Sequence, residues 1–149
     1  MATTNIYLIF ENQTEEAFLF YKDVFGTEFD GKMSRMSDAP QEEGAPELSE
    51  SEKNLILHVT LPILGGLHLM GSDVPESRGM KVRKGNNVSI SLHPDSKEEA
   101  DRLFKELSKG GKVEMPMEDA FWGDYFGACT DKFGINWMVN YNNSNNSSY

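Results

Sequence analysis

Residues 119–140 read DAFWGDYFGACTDKFGINWMVN and hold both tryptophans, the single cysteine and three of the thirteen glycines. The stretch predicts loop, strand, tight turn, strand. Gly123 and Gly127 punctuate an aromatic loop, and Asp131 to Gly134 form the turn of a hairpin, with Gly134 supplying a positive φ. Beyond the turn, Ile135, Trp137 and Val139 alternate with Asn136, Met138 and Asn140, so one face of the last strand packs and the other is free to meet a ligand.

Working outward, the same plan occurs twice. Asn5–Phe10 reads as a short strand. Asn12 and Glu15 have capping-box spacing ahead of an apolar stripe of Ala17, Phe20, Tyr21, Val24 and Phe25, and Gly26 stops the helix. Thr27 to Met36 reads as a weaker strand, and Leu55–Leu61 with Leu67–Met70 as a hairpin turned near Gly65 and Gly66. In the second half Ser96 and Glu99 repeat the capping box. Ala100, Leu103, Phe104 and Leu107 follow 83 positions after Ala17, Phe20, Tyr21 and Val24. Leu67–Met70 likewise stands 68 positions before Ile135–Met138. The repeat implies an α+β chain of two tandem βαβββ modules, 5–72 and 86–141, joined by a linker at 73–85 in one domain spanning 1–141. Asn142 to Tyr149, polar and uncharged, is expected to be a disordered tail.

Each helix has one apolar stripe, so each sheet turns one face to its helix and leaves the other lining a cup. Alternation assigns Leu67, Leu69, Ile135, Trp137 and Val139 to the helices, with Val88, Ile90 and Leu92 of the second opening strand. His68, Met70, Ser89, Ser91, Asn136 and Met138 then line the cup, and His58 joins them if Val59 packs. Trp122 is read either as a lid that stacks on a flat ligand or as a plug for the sheet end, and Asp124 either as a ligand for a donor group or as a turn cap. Cys129 is read as a small strand residue and not a nucleophile.

Lys plus Arg number 14 against 24 Asp plus Glu, a formal charge of -10, which argues against nucleic acid or an anionic membrane surface as partner. Asp38, Glu42, Glu43, Glu47, Glu50 and Glu52 face only Lys53, and with Pro40, Gly44 and Pro46 this stretch reads as a solvated, mobile loop. One cysteine allows no intrachain disulfide, and the start, Met-Ala-Thr-Thr-Asn, has no export pattern, which points to the cytoplasm.

The pattern Phe-Trp-Gly-Asp-x-Phe-Gly, then Thr-Asp-x-Phe-Gly-x-x-Trp-Met-Val-Asn, resembles the PhnB-like branch of the vicinal oxygen chelate superfamily, which also contains glyoxalase I and the bleomycin-resistance proteins. Glu15-Glu16-Ala17 through Phe20-Tyr21 and Leu69-Met70-Gly71-Ser72-Asp73 extend the likeness over residues 5 to 141. The resemblance implies a glyoxalase-like fold whose curved mixed sheets form a cup. It also implies a homodimer, since relatives commonly pair modules between chains to complete the cup, and exposed closing strands would otherwise leave sheet edges unpaired. Metal-using members hold the ion with His, Gln or Glu of the opening and closing strands. The matching positions here are Met70 and Met138, with Ile6 and Ser89 placed nearest on the opening strands, and none suits such an ion. Relatives often carry Arg where this chain has Tyr125. Some are described as demethylubiquinone methyltransferases, but no glycine-rich strand-to-helix loop is present to cradle a nucleoside cofactor.

Two functional readings follow. One is a small-molecule-binding protein without metal or cofactor, its ligand held by His58, His68, Met70, Ser89, Trp122, Asp124, Asn136 and Met138. The other is a glyoxalase-like lyase or isomerase that acts on a vicinal-oxygen substrate through a metal on His58 and His68, and whether any catalysis occurs stays open.

Overall fold

The computed structural model describes residues 1–40, 43–45 and 47–143, and the chain divides into two compact units that meet in sequence between Arg83 and Lys84. In the first, β1 (Ile6–Phe10), α1 (Thr14–Phe25), β2 (Ser34–Arg35), a one-turn α2 (Glu50–Lys53), β3 (Ile56–Pro62) and β4 (His68–Asp73) follow in order. The sheet runs β1-β4-β3-β2, with β1 parallel to β4 and the other pairs antiparallel. Of the span Thr27 to Met36, only Ser34 and Arg35 pair as a strand.

Helix α1 buries Thr14, Ala17, Phe18, Tyr21 and Val24, while Phe20 and Phe25 of the expected stripe are only half-buried. Phe18 takes the central place because β4 offers Gly71 beneath it. A Cβ on that glycine would come within 2.6 Å of the Phe18 ring. The predicted capping box is also replaced. Gln13 is the N-cap without a side-chain bond, Asn12 turns through a φ of 64°, and Glu15 pairs with Arg35. The helix start is held instead by buried Asp73 at the end of β4: one oxygen accepts from Thr14 N (3.0 Å) and Thr14 Oγ1 (2.7 Å), the other from Ile56 N (2.9 Å). Thus a position expected in the linker joins helix, β3 and β4. Gly26 ends α1 in the left-handed region, as its sequence predicts.

The acidic stretch is more structured than a solvated loop at both described ends. Asp38 accepts from Arg35 N, Ser49 caps α2 in a full capping box with Glu52, and Glu52 also accepts from Ser77 N.

The second unit repeats the plan with β5 (Ile90–Leu92), α3 (Lys97–Ser108), β6 (Lys112–Asp119), β7 (Asp124–Thr130) and β8 (Asn136–Asn142), in the sheet order β5-β8-β7-β6. Ser96 caps Glu99 N at 3.1 Å, but the Glu99 side chain turns to Arg102, so only half of the predicted box forms. Ala100, Leu103, Phe104 and Leu107 are buried as the stripe predicts. Trp137 and Val139 pack fully and Ile90 and Leu92 are buried, whereas Val88 is exposed, lying ahead of β5 and not within it.

The β7–β8 turn closes as expected, with Gly134 at φ 92° and its N–H on the Asp131 carbonyl. Asp131 does more than turn the chain. Its buried carboxylate accepts from Phe133 N, Ile135 N and the Trp137 indole Nε1, tying the turn to the largest core side chain. Strand β8 continues through Asn142, one residue past the expected boundary at 141, and the Asn143 amide donates to Asp119 Oδ1 and the Gly123 carbonyl. Residues 144–149 of the expected tail lie outside the described residues. The result is α+β: two four-stranded mixed sheets with a helix packed on one face of each.

Candidate functional site

Each unit leaves one sheet face uncovered by its own helix, and strand register fixes what stands there. In the first unit Tyr7, Met70 and Thr60 form one row, because Tyr7 pairs with Met70 in parallel and Met70 with Thr60 in antiparallel. Residues directly opposite share a face. The adjoining row, Ile6, Leu69 and Leu61, points towards the helix, and Leu69 and Leu61 are fully buried. By alternation His58, His68 and Ser72 share the face of Met70, as expected for the two histidines. His58 is engaged at both ring nitrogens: Nε2 lies 3.0 Å from Thr60 Oγ1 and Nδ1 3.4 Å from Tyr7 Oη, with the Tyr7 and His58 rings 5.8 Å apart.

In the second unit the matching row is Ser91, Met138, Ala128 and Met115. Beside it Phe126 pairs with Asn140 and Thr130 with Asn136. Trp122 stands at the tip of the β6–β7 hairpin, whose turn is closed by Gly123 N on the Ala120 carbonyl. It is 52% exposed and makes edge contacts with Phe126 (5.8 Å) and Phe121 (5.0 Å), an aromatic shelf and not a plug.

The polar residues expected to meet a ligand divide by how far they are already engaged. The Asn136 amide donates to the carbonyls of Gly85 and Val88, and its oxygen accepts from Thr130, so it fastens the segment before β5 to β8. Asp124 is buried and accepts from the Asn140 amide, a β7–β8 tie. Ser89 precedes β5 and is exposed. Tyr125 faces α3: its hydroxyl donates to Asp101 at 2.6 Å and Lys97 Nζ sits 4.3 Å above its ring. That bond to Asp101, with burial and the nearby Asp119, pushes the phenol up to about 12. Cys129 is a buried free thiol, pushed up to about 12 by burial and then by Asp131 and Glu114, which keeps it protonated and unreactive.

The opening-strand positions need correction. The true neighbours of Met70 and Met138 are Tyr7 and Ser91, not Ile6 and Ser89. Ile6 stands beside Leu69 in the helix-facing row. The helices repeat at 83 residues, but pairing puts Ile6 level with Ile90, because the span from this strand row to the buried helix alanine, Ile6 to Ala17 against Ile90 to Ala100, is one residue longer in the first unit. A one-residue slip exchanges the faces of a strand. Burial alternates along β1, with Tyr7 and Ile9 exposed against half-buried Ile6 and Leu8 and buried Phe10, but the residues Ile-Tyr-Leu-Ile-Phe carry no matching polar alternation that would have singled out Tyr7.

Nor do the two histidines gather on one ion. His68 pairs with Pro62, four positions from His58 on β3. At about 3.3 Å per residue this separates them by roughly 13 Å. Among the described residues no three His, Cys, Asp or Glu side chains cluster as a metal site. In each unit the two positions at issue offer one thioether and one hydroxyl, Met70 with Tyr7 and Met138 with Ser91, and neither pair is a donor set that fits a zinc, nickel, iron or manganese centre.

A family model described as 3-demethylubiquinone-9 3-methyltransferase matches residues 2–140 of this sequence. The chain belongs to this PhnB-like family. It is 33% identical over 140 residues to protein YjdN of Escherichia coli, covering 90% of this chain and 91% of that protein. A crystal structure of a Pseudomonas aeruginosa protein is 36% identical with a TM-score of 0.80, covering 95% of this chain and 98% of that one. The PhnB protein from Bacillus cereus is 25% identical with a TM-score of 0.73, covering 94% and 99%. The fold likeness reaches the fosfomycin resistance protein FosX from Listeria monocytogenes, solved with Mn(II) and sulfate, at 12% identity and a TM-score of 0.61 over 96% and 93% of the two chains. The PhnB-like chain also shares its fold with a Frankia structure described as a glyoxylase/bleomycin resistance protein/dioxygenase domain, at 11% identity and a TM-score of 0.66 over 98% and 95% of the two chains.

Proposed function

We propose that this PhnB-like protein is a metal-independent, cytoplasmic, homodimeric small-molecule-binding protein. The observation that carries the reading is the donor set at the register-matched centres of the two sheets, Met70 beside Tyr7 and Met138 beside Ser91. In either unit an adaptable thioether beside a hydroxyl, joined in the second by the exposed Trp122, suits a mostly apolar organic ligand with a few polar groups. The rival, a metal-dependent lyase or isomerase on His58 and His68, requires both imidazoles on one ion, and their separation along the sheet opposes it. Methyl transfer, which the family description names, draws no support from the strand-to-helix connections Glu11-Asn12-Gln13 and His93-Pro94-Asp95-Ser96, which contain no glycine to cradle a nucleoside cofactor.

The test is a titration of chelator-treated protein with a library of small aromatic and aliphatic compounds, followed by tryptophan fluorescence. Trp137 is buried, so a saturable change lost in Trp122→Phe reports the exposed shelf. Saturable binding without metal is expected. Binding that appears only after metal is restored would overturn the reading.

A further inference from the structure

Three side chains on the open face of the first unit form a hydrogen-bonded set in the order Tyr7, His58, Thr60. Counting hydrogens defines what this set can recognise. A neutral imidazole carries one N–H and each hydroxyl one O–H, three in all, and the two internal contacts consume two. One donor is therefore left over. If Thr60 donates to Nε2, the Nδ1–H donates to Tyr7 and the phenolic hydrogen is released outward. In the other tautomer the released hydrogen belongs to Thr60. In the imidazolium form both hydroxyls are released as donors and the group gains a positive charge. In every state the set keeps hydrogens to give away. Its outer end is accessible, since Tyr7 is 50% exposed while Thr60 is 9% exposed. Two apolar side chains stand on the same face, Met70 beside Tyr7 in register and Ile9 two residues further along β1.

We propose that Tyr7, His58 and Thr60 form a site for the carboxylate of a small organic acid, whose carbon body lies against Ile9 and Met70. This rests on the small-molecule-binding reading and narrows it to a ligand class and a unit. A hydroxyl hydrogen released outward beside an imidazole that can carry a positive charge favours an anionic acceptor over an ammonium group, and the thioether and sec-butyl surfaces contribute burial to the alkyl part.

Sodium butyrate and n-butylammonium chloride, at matched ionic strength, form the test pair for the full chain near neutral pH, with the imidazole resonances of His58, His68 and His93 followed by NMR. Butyrate is expected to shift the His58 resonances saturably. Smaller, non-saturating changes are expected at His68 and His93, and none at His58 with butylammonium. Tyr7→Phe keeps the exposed ring and removes the donor, and should weaken butyrate binding about 5- to 10-fold, as loss of one net hydrogen bond would. Thr60→Val is the second variant and should also weaken it. Equal shifts at all three histidines, equal binding of the two probes, or unchanged affinity in both variants would overturn the proposal. A saturable Trp122 response to other compounds with a silent His58 would leave the general binding reading standing and remove this one.

Discussion

Asp73 and Asp131 carry structural duties that neither hydropathy nor repeat spacing announces. Each buried carboxylate accepts three hydrogen bonds from groups brought together only by folding. Asp73→Ala would strand the Thr14 donors and Ile56 N in the core, so a loss of about 3 kcal/mol is expected, read as a lower urea midpoint at unchanged slope. Cys129 and Tyr125 make a second prediction. Their ordinary values are 9.0 and 10.0, and both are raised to about 12 in the folded chain. Below about pH 8 both groups are almost wholly protonated whether folded or unfolded. Above it the unfolded chain releases its protons first, so it binds fewer than the native state and stability falls with rising pH until about 12. The urea midpoint should therefore drop between roughly pH 8 and 10.5, and less steeply in Cys129→Ala. A flat profile would mean that neither group is held as described.

At the scale of elements, the two helices, the hairpins and the alternation of the closing strands were legible because burial imposes periods of 3.6 and 2 on the residues themselves. The rotation of α1 was not, since Phe18 and Phe20 are equally apolar and the choice depends on Gly71 lying below one of them. The face of β1 was misjudged because the span from Ile6 to Ala17 is one residue longer than that from Ile90 to Ala100, which offsets the strand repeat from the helix repeat. The surroundings of Trp122 and Asp124 were not legible either, since only the fold brings the Asn140 amide to Asp124 and leaves Trp122 exposed at the hairpin tip. The tight fit of α1 on β4 gives a further prediction. Gly71→Ala places a Cβ 2.6 Å from the Phe18 ring and 3.1 Å from the Leu8 carbonyl. A cost of about 1–3 kcal/mol is expected. Gly71→Ala combined with Phe18→Leu should recover part of it in the same denaturation measurement, as neighbours sharing one space do not add.

For the whole molecule, the proposed homodimer no longer draws on unpaired closing strands, because β4 and β8 each lie inside their sheets. The edges are elsewhere. Strand β6 is exposed along nearly its whole length but carries two register shifts, Pro116 and the charges of Lys112, Glu114, Glu118 and Asp119, devices that blunt edge pairing. Light scattering at micromolar concentration should give twice the 16.8 kDa chain mass, and a monomer would reject the dimer. The central claim, ligand binding without a metal, has its most direct test in thermal unfolding of untagged, chelator-treated protein at physiological ionic strength with added zinc, nickel or manganese. An ion bound only by the native state at about a hundred times its Kd would add roughly 3 kcal/mol. With methionines at the two closing-strand centres, no rise in midpoint is expected. A weak rise that survives both His58→Ala and His68→Ala would belong to the acidic stretch near residues 38–52, whereas a large rise abolished by either substitution would contradict the account.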